Sequence, residues 1–283
     1  MGSPVTFGAR LRTAMDTHGP LCVGVDPHPE LLAAWGLPDN AAGLQRFCAT
    51  VVEALADRVA VLKPQSAFFE RFGSGGIAVL EWTLAAIRDA GGLSIIDAKR
   101  GDIGSTVAAY ASAYLDPASP LAADAMTASP YLGFGSLQPL LDKASKHARG
   151  VFVLALTSNP QGTQVQHART PSGSTVAQEI IDAVARANDG QQPLGSIGVV
   201  VGATVGETGH SFAGLNGPIL APGLGAQGGT PEHLRRVFGP ALPDVLPSAS
   251  RHVLNAGPRV RSLRAAVDQL RDQLSQKAGA EPR

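Results

Sequence analysis

The stretch "LSIIDAKRGDIGSTVAAY", Leu93–Tyr110, carries an apolar run straight into Asp97, Lys99, Arg100 and Asp102, then into a helical pattern. Charged groups at the end of a buried strand cost free energy unless neighbours compensate them. Asp97 and Lys99 are two residues apart, so on a strand they project from one face while Ala98 points to the other. An apolar strand that ends in charges and turns at once into a helix is one βα unit, with its chemistry at the strand's C-terminal end.

The same unit recurs along the chain. "LCVGVD" (21–26), "VAVLKP" (59–64), "AADAMTAS" (122–129) and "GVFVLALTS" (150–158) read as strands, as do "SIGVVVGAT" (196–204), "GPILAPG" (217–223) and "DVLPSAS" (244–250). Val, Ile and Leu occupy both alternating faces, as strands covered on both sides require. Between them, "NAAGLQRFCATVVEALAD", "GGIAVLEWTLAAIRDAGG" and "STVAQEIIDAVARAND" repeat apolar residues at three and four. The last of these opens with hydroxyl residues fit to cap it and carries Glu179 in its first turn. "RSLRAAVDQLRDQLSQ" places Leu263, Val267, Leu270 and Leu274 on one face, and the amphipathic "FGARLRTAMDTHG" is expected to close the bottom of the fold. Eight strands alternating with helices over roughly 250 residues match an α/β fold of the (β/α)8 TIM-barrel type. A doubly wound open sheet is the competitor. Eight repeats without a break favour the barrel, so residues 1–283 read as a single barrel domain with a flexible C-terminal tail from about 278. The polar loop 159–173 reads as a mobile cover over an active site.

Composition sets outer bounds. With 44% hydrophobic and 16% charged residues the chain is an ordinary globular protein, and 5% aromatics leave Ala, Val, Leu and Ile to fill the core. Acidic and basic residues balance at 23 each, so there is no electrostatic footprint for nucleic acid or an anionic membrane. Cys22 and Cys48 lie in apolar segments without a Cys or His at metal-ligand spacing, which predicts buried free thiols in a reducing compartment. No apolar run of about 18 residues and no signal-peptide pattern is present, so a cytoplasmic protein is expected.

Read in order, the strand ends carry Asp26, Lys63, Asp97 with Lys99, Ser158, Gln227 and Arg251. Each has an ordinary explanation in isolation. Lys63 could simply snorkel from its strand end, and Asp102 could be the N-cap of the helix that follows it. Together they need a shared one. "GLGAQG" (223–228) fits G-x-G-x-x-G, but at the seventh strand a phosphate monoester held by backbone N–H groups is the better reading than a dinucleotide. The seven histidines include no pair at i, i+4, which argues against zinc. His28, near Asp26, reads as an exposed loop residue with lining of the site as the alternative, and Trp35 and Trp82 read as packing residues.

"DAKRGDIGST" has the form D-x-K-x-x-D-I-x-x-T, and it resembles the signature of the orotidine 5′-phosphate decarboxylase family. "VGVDPHPE" resembles that family's first strand, which would make Asp26 a ribose ligand, and "VLKPQSAFFE" its second, with Lys63 as the lysine. "LALTSNPQG" would place Ser158 against the pyrimidine, and "PGLGAQGG" would place Gln227 on the phosphate. "PSASRHVL" fits least well; it would make Arg251 the second phosphate ligand, although His252 follows where a small residue is usual. The "SNP" loop and "PYLGFGSLQPLL" resemble the bacterial subgroup with longer chains.

The resemblance implies decarboxylation of orotidine 5′-phosphate to uridine 5′-phosphate, the last step of de novo pyrimidine nucleotide synthesis, without metal or cofactor. Asp97 would face the substrate carboxylate, and Lys99 would stabilise and protonate the C6 carbanion. Lys63 and Asp102 would hold that pair in an alternating charge network. It also implies an obligate homodimer in which Asp102 and Thr106 serve the partner's site. Two other readings compete. A Mg-dependent sugar-phosphate decarboxylase or synthase of the same superfamily carries a metal-binding glutamate where this chain has Lys63, and a cation there would repel the ion. A non-catalytic barrel that binds a nucleotide phosphate would not need the Lys–Asp–Lys–Asp order.

Overall fold

Segments that are apolar on both faces must be covered on both, and all eight form parallel strands sandwiched between a filled lumen and an outer layer of helices. They are β1 (Cys22–Val25), β2 (Val61–Pro64), β3 (Ile95–Arg100) and β4 (Ala125–Ala128), then β5 (Gly150–Leu156), β6 (Ile197–Val201), β7 (Ile219–Pro222) and β8 (Val245–Ala249). The computed structural model describes residues 4–206 and 209–276; the tail expected to be flexible from about 278 lies outside them. The sheet order β2-β1-β8-β7-β6-β5-β4-β3 is a ring, and bridges Leu62↔Ser94 and Gln65↔Asp97 join its two ends. The barrel, not the open sheet, is the architecture.

Alternation along the strands divides the lumen into two layers. Cys22, Val61, Ile95, Ala125, Phe152, Val200, Leu220 and Leu246 form the lower one. Phe7, Leu11 and Met15 of the helix Phe7–His18 pack into it, so that helix plugs the bottom as its amphipathic pattern predicts. The plug fits closely: a Cβ on Gly150 would lie 2.3 Å from the Phe7 ring. Two residues further along β2, β3, β4 and β8, the inward positions become Lys63, Asp97, Thr127 and Ser248, all buried. The outer apolar faces, including Val23, Leu62, Ile96 and Val199, pack against the helices in a second cluster. Helix ends follow their sequence signals, with Asn40, Thr175 and Thr230 accepting from the N–H three residues on.

Two local readings change. The helix Gly104–Leu115 has Ile103 at its N-cap position without a side-chain cap, and Asp102 lies one residue earlier, where Oδ1 accepts the Ile103 N–H at 2.8 Å. Asp102 is therefore not that helix's N-cap. Trp35 is buried and donates Nε1–H to the Leu254 carbonyl at 3.1 Å, whereas Trp82 is exposed on the outer face of its helix. Cys22 and Cys48 are buried and free, and burial pushes both thiols up to about 12.

Candidate active site

The upper lumen is built around one carboxylate. Asp97 Oδ2 accepts from Lys63 Nζ at 2.8 Å, and Oδ1 accepts from Lys99 Nζ at 2.6 Å and from Thr127 Oγ1 at 2.8 Å. The Asp97 and Lys63 side chains are only 7% and 6% exposed, while that of Lys99 is 44% exposed at the cavity floor. Burial alone pushes the Asp97 carboxyl up; the ammonium groups of Lys63 and then Lys99 overturn this and hold it well below the usual carboxylate range. Burial likewise pulls Lys63 down, and Asp97 followed by Asp26 more than restores it, leaving it above the ordinary lysine value. The pair is thus kept ionised by its own geometry. Beneath it the Cys22 thiol stays neutral.

The bend at the end of β3 aims these groups. Pairing with β4 shifts register between Ile96 and Arg100, and Lys99 adopts φ 48°, a left-handed conformation unusual for a residue with a Cβ. Arg100 turns away from the lumen to pair with Glu70 and lies over the Tyr110 ring, 5.6 Å from its centroid. Of the four charges in "DAKRGD", two therefore reach the site within one chain.

Above this floor opens a cavity of about 340 Å³. Seven of the nine site residues expected from the sequence line it: Asp26, Lys63, Asp97, Lys99, Ser158, Gln227 and Arg251. Asp102 and Thr106 do not. Asp102 is half-buried on the rim and Thr106 is exposed, and among the described residues Asp102 makes no ion pair with either lysine. Within a single chain the alternating network therefore stops at three members.

The far wall is the loop after β7. Gly225, Gly228 and Gly229 spend their N–H groups inside it, on the carbonyls of Gly229, Gly225 and Gly223. These three N–H groups are engaged within the loop, while Ala226 and Gln227 at its tip line the cavity together with Arg251, so side-chain donors from Gln227 and Arg251 stand at this wall. His252, the residue that fitted the family pattern least well, has a use here. Gly225 sits at φ 79° against the His252 ring, which a Cβ there would approach to 2.8 Å. The histidine backs the loop.

Several lining residues lie outside the expected set. For His28 the exposed-loop reading gives way to the alternative that it lines the site near Asp26: it is half-buried in the cavity wall, edge-on to Phe68 at 4.3 Å. Gln65 also lines the cavity and donates Nε2–H to the Asp97 carbonyl at 3.3 Å. Asp26 Oδ1 and Ser250 Oγ are buried in this wall without a hydrogen-bond partner among the described residues. Buried polar atoms of this kind are rare and suit a ligand with hydroxyl groups. Thr127 lies below the cavity. The stretch 122–129 reads as a strand from its sequence, but only the pairing of Ala125 with Ile95 brings Thr127 level with Asp97.

A family model described as "Orotidine 5′-phosphate decarboxylase / HUMPS family" matches residues 19–266. The chain belongs to that family. It is 66% identical over 265 residues to an orotidine 5′-phosphate decarboxylase of Salinispora arenicola, covering 94% of this chain and 95% of the relative. It is 61% identical over 262 residues to one of Streptomyces coelicolor, covering 93% and 94%. The crystal structure of a Streptomyces avermitilis protein assigned to the same decarboxylase class superposes with a TM-score of 0.95 at 56% identity, covering 99% of this chain and 98% of that one.

Proposed function

We propose that this chain decarboxylates orotidine 5′-phosphate to uridine 5′-phosphate, the last step of pyrimidine nucleotide synthesis, without metal or cofactor. The observation that carries the reading is the buried Asp97 carboxylate clamped between Lys63 and Lys99 at the floor of the cavity. The phosphate end lies toward Gln227 and Arg251, the ribose hydroxyls meet Asp26, and the pyrimidine faces Ser158. The substrate carboxylate then sits beside Asp97. Heterolysis of the C6–carboxylate bond leaves the electron pair on C6 and releases carbon dioxide; Lys99 stabilises that pair and delivers a proton from Nζ.

Magnitudes decide which part does most. Two like charges about 4 Å apart repel by roughly 4 kcal/mol at an effective dielectric near 20, about three decades of rate. Enzymes reach up to about 17 decades or beyond, so repulsion by Asp97 is the smaller share. Preorganised stabilisation of the carbanion by Lys99, and binding energy drawn from the remote phosphate, must supply more. Purified protein treated with a chelator is expected to form uridine 5′-phosphate, followed by loss of the substrate's ultraviolet absorbance. A strict Mg²⁺ requirement would instead favour the metal-dependent reading.

We read the working enzyme as a homodimer of single-domain barrels in the cytoplasm. The buried free thiols suit a reducing compartment, and among the described residues no helix is long and apolar enough to cross a membrane. Asp102 and Thr106 follow the end of β3, where Ile103 is 62% exposed, and the segment after the neighbouring β4 exposes Tyr131 at 78% and Leu132 at 53%. A cluster of this kind on neighbouring strand ends suits an interface between subunits. Asp102 would then enter the partner's site. Mixing an Asp102→Ala variant with a Lys99→Ala variant should restore about a quarter of the wild-type activity after random subunit exchange, since each heterodimer regains one site. Activity no higher than that of the separate variants would rule out a shared site.

A further inference from the structure

We propose that Thr127 is a positioning residue for the reacting pair, holding the Lys99 backbone and the Asp97 carboxylate in one geometry through a single hydroxyl. The inference rests on the decarboxylase reading. Thr127 is 1% exposed on β4 and is not part of the cavity wall, so it acts only through its neighbours. Its Oγ1 accepts the Lys99 N–H at 2.9 Å and donates to Asp97 Oδ1 at 2.8 Å. Those directions are forced, because a backbone N–H can only donate and an ionised carboxylate can only accept.

The two bonds answer two needs of the bent strand end. Between Ile96 and Arg100 the β3–β4 register shifts, and the Thr127 hydroxyl takes the Lys99 N–H where the strand bends. That bend is where Lys99 holds φ 48°. A left-handed residue with a Cβ persists only when its surroundings over-determine it, and here the threonine bond contributes to that. The second bond fixes the Asp97 oxygen that also accepts Lys99 Nζ, so main chain and side chain of the same lysine are tied to one carboxylate. Without the hydroxyl, the lysine's Nζ is free to drift from the line toward the reacting carbon.

Thr127→Val keeps the side-chain shape and deletes both bonds. It is expected to lower kcat about 10- to 100-fold, the scale of misplacing a reacting group by ~1 Å, with KM changed less than about threefold because no substrate contact is lost. Thr127→Ser restores the hydroxyl and should recover most of kcat. Val and Ser variants both within twofold of wild-type kcat would overturn the proposal, as would equal losses in the two. If the valine variant does not accumulate as folded protein, Thr127→Ala replaces it: serine at least tenfold above alanine in kcat supports the proposal, and equal values overturn it. Failure of the decarboxylase reading looks different, because wild-type protein itself would then not turn over orotidine 5′-phosphate.

Discussion

Lys99→Ala should lower kcat/KM for orotidine 5′-phosphate by about 10⁵-fold or more, because one side chain both stabilises the developing charge and supplies the proton. Loss of a single preorganised donor costs roughly 10²–10³, and loss of a positioned general acid roughly 10²–10⁴. The fold should survive. The Lys99 side chain is 44% exposed, and Asp97 keeps Lys63 and Thr127 as partners, so stability should change by no more than about 1 kcal/mol. Steady-state kinetics paired with urea denaturation would separate the two effects. A variant that keeps more than one hundredth of wild-type kcat/KM would remove Lys99 from its proposed role.

Asp97→Ala should cost both turnover and stability. It removes the carboxylate that bonds the Lys63 ammonium, 6% exposed, and leaves only Asp26 nearby; breaking a buried pair in this way typically costs about 3–5 kcal/mol. Adding Lys63→Met should return much of that stability but none of the activity, since a buried pair replaced as a whole costs little. A single variant as stable as wild type would show that water reaches Lys63 and that the clamp is not dry. The pH dependence has a definite sign. The folded carboxyl lies below its ordinary value of 3.8, so its contribution is fully present above that pH and is lost as pH falls below it. The raised Lys63 works at the other end: its contribution is present below 10.5 and is lost only as pH climbs above that value.

Much of this is legible in the sequence itself. Strand ends repeat a visible grammar of apolar run, charge or glycine, then helix, and seven of the residues so marked do line one cavity. Asp102 shows where that grammar fails. A carboxylate just before a helix looks like a cap, yet the helix begins one residue later than the spacing suggests and the side chain bonds only the next N–H. Element boundaries shift by a residue or two because local preferences at helix ends are weak against tertiary packing. For His28 the sequence left two readings open, a site-lining residue or an exposed loop residue, because a loop histidine carries no periodic signal; its packing against Phe68 in the cavity wall is a tertiary contact.

The sequence alone determined the order of strands and helices, the apolar fill of the lumen and the positions of charge along each strand, because period and polarity are local properties of a chain. Only the tertiary structure decided which charges meet. Lys63, Asp97 and Thr127 are separated by about thirty residues each and come level because closure of the barrel fixes the stagger between neighbouring strands. The left-handed turn at Lys99, the hydroxyl that ties it down and the ring of His252 behind the loop after β7 follow from that closure.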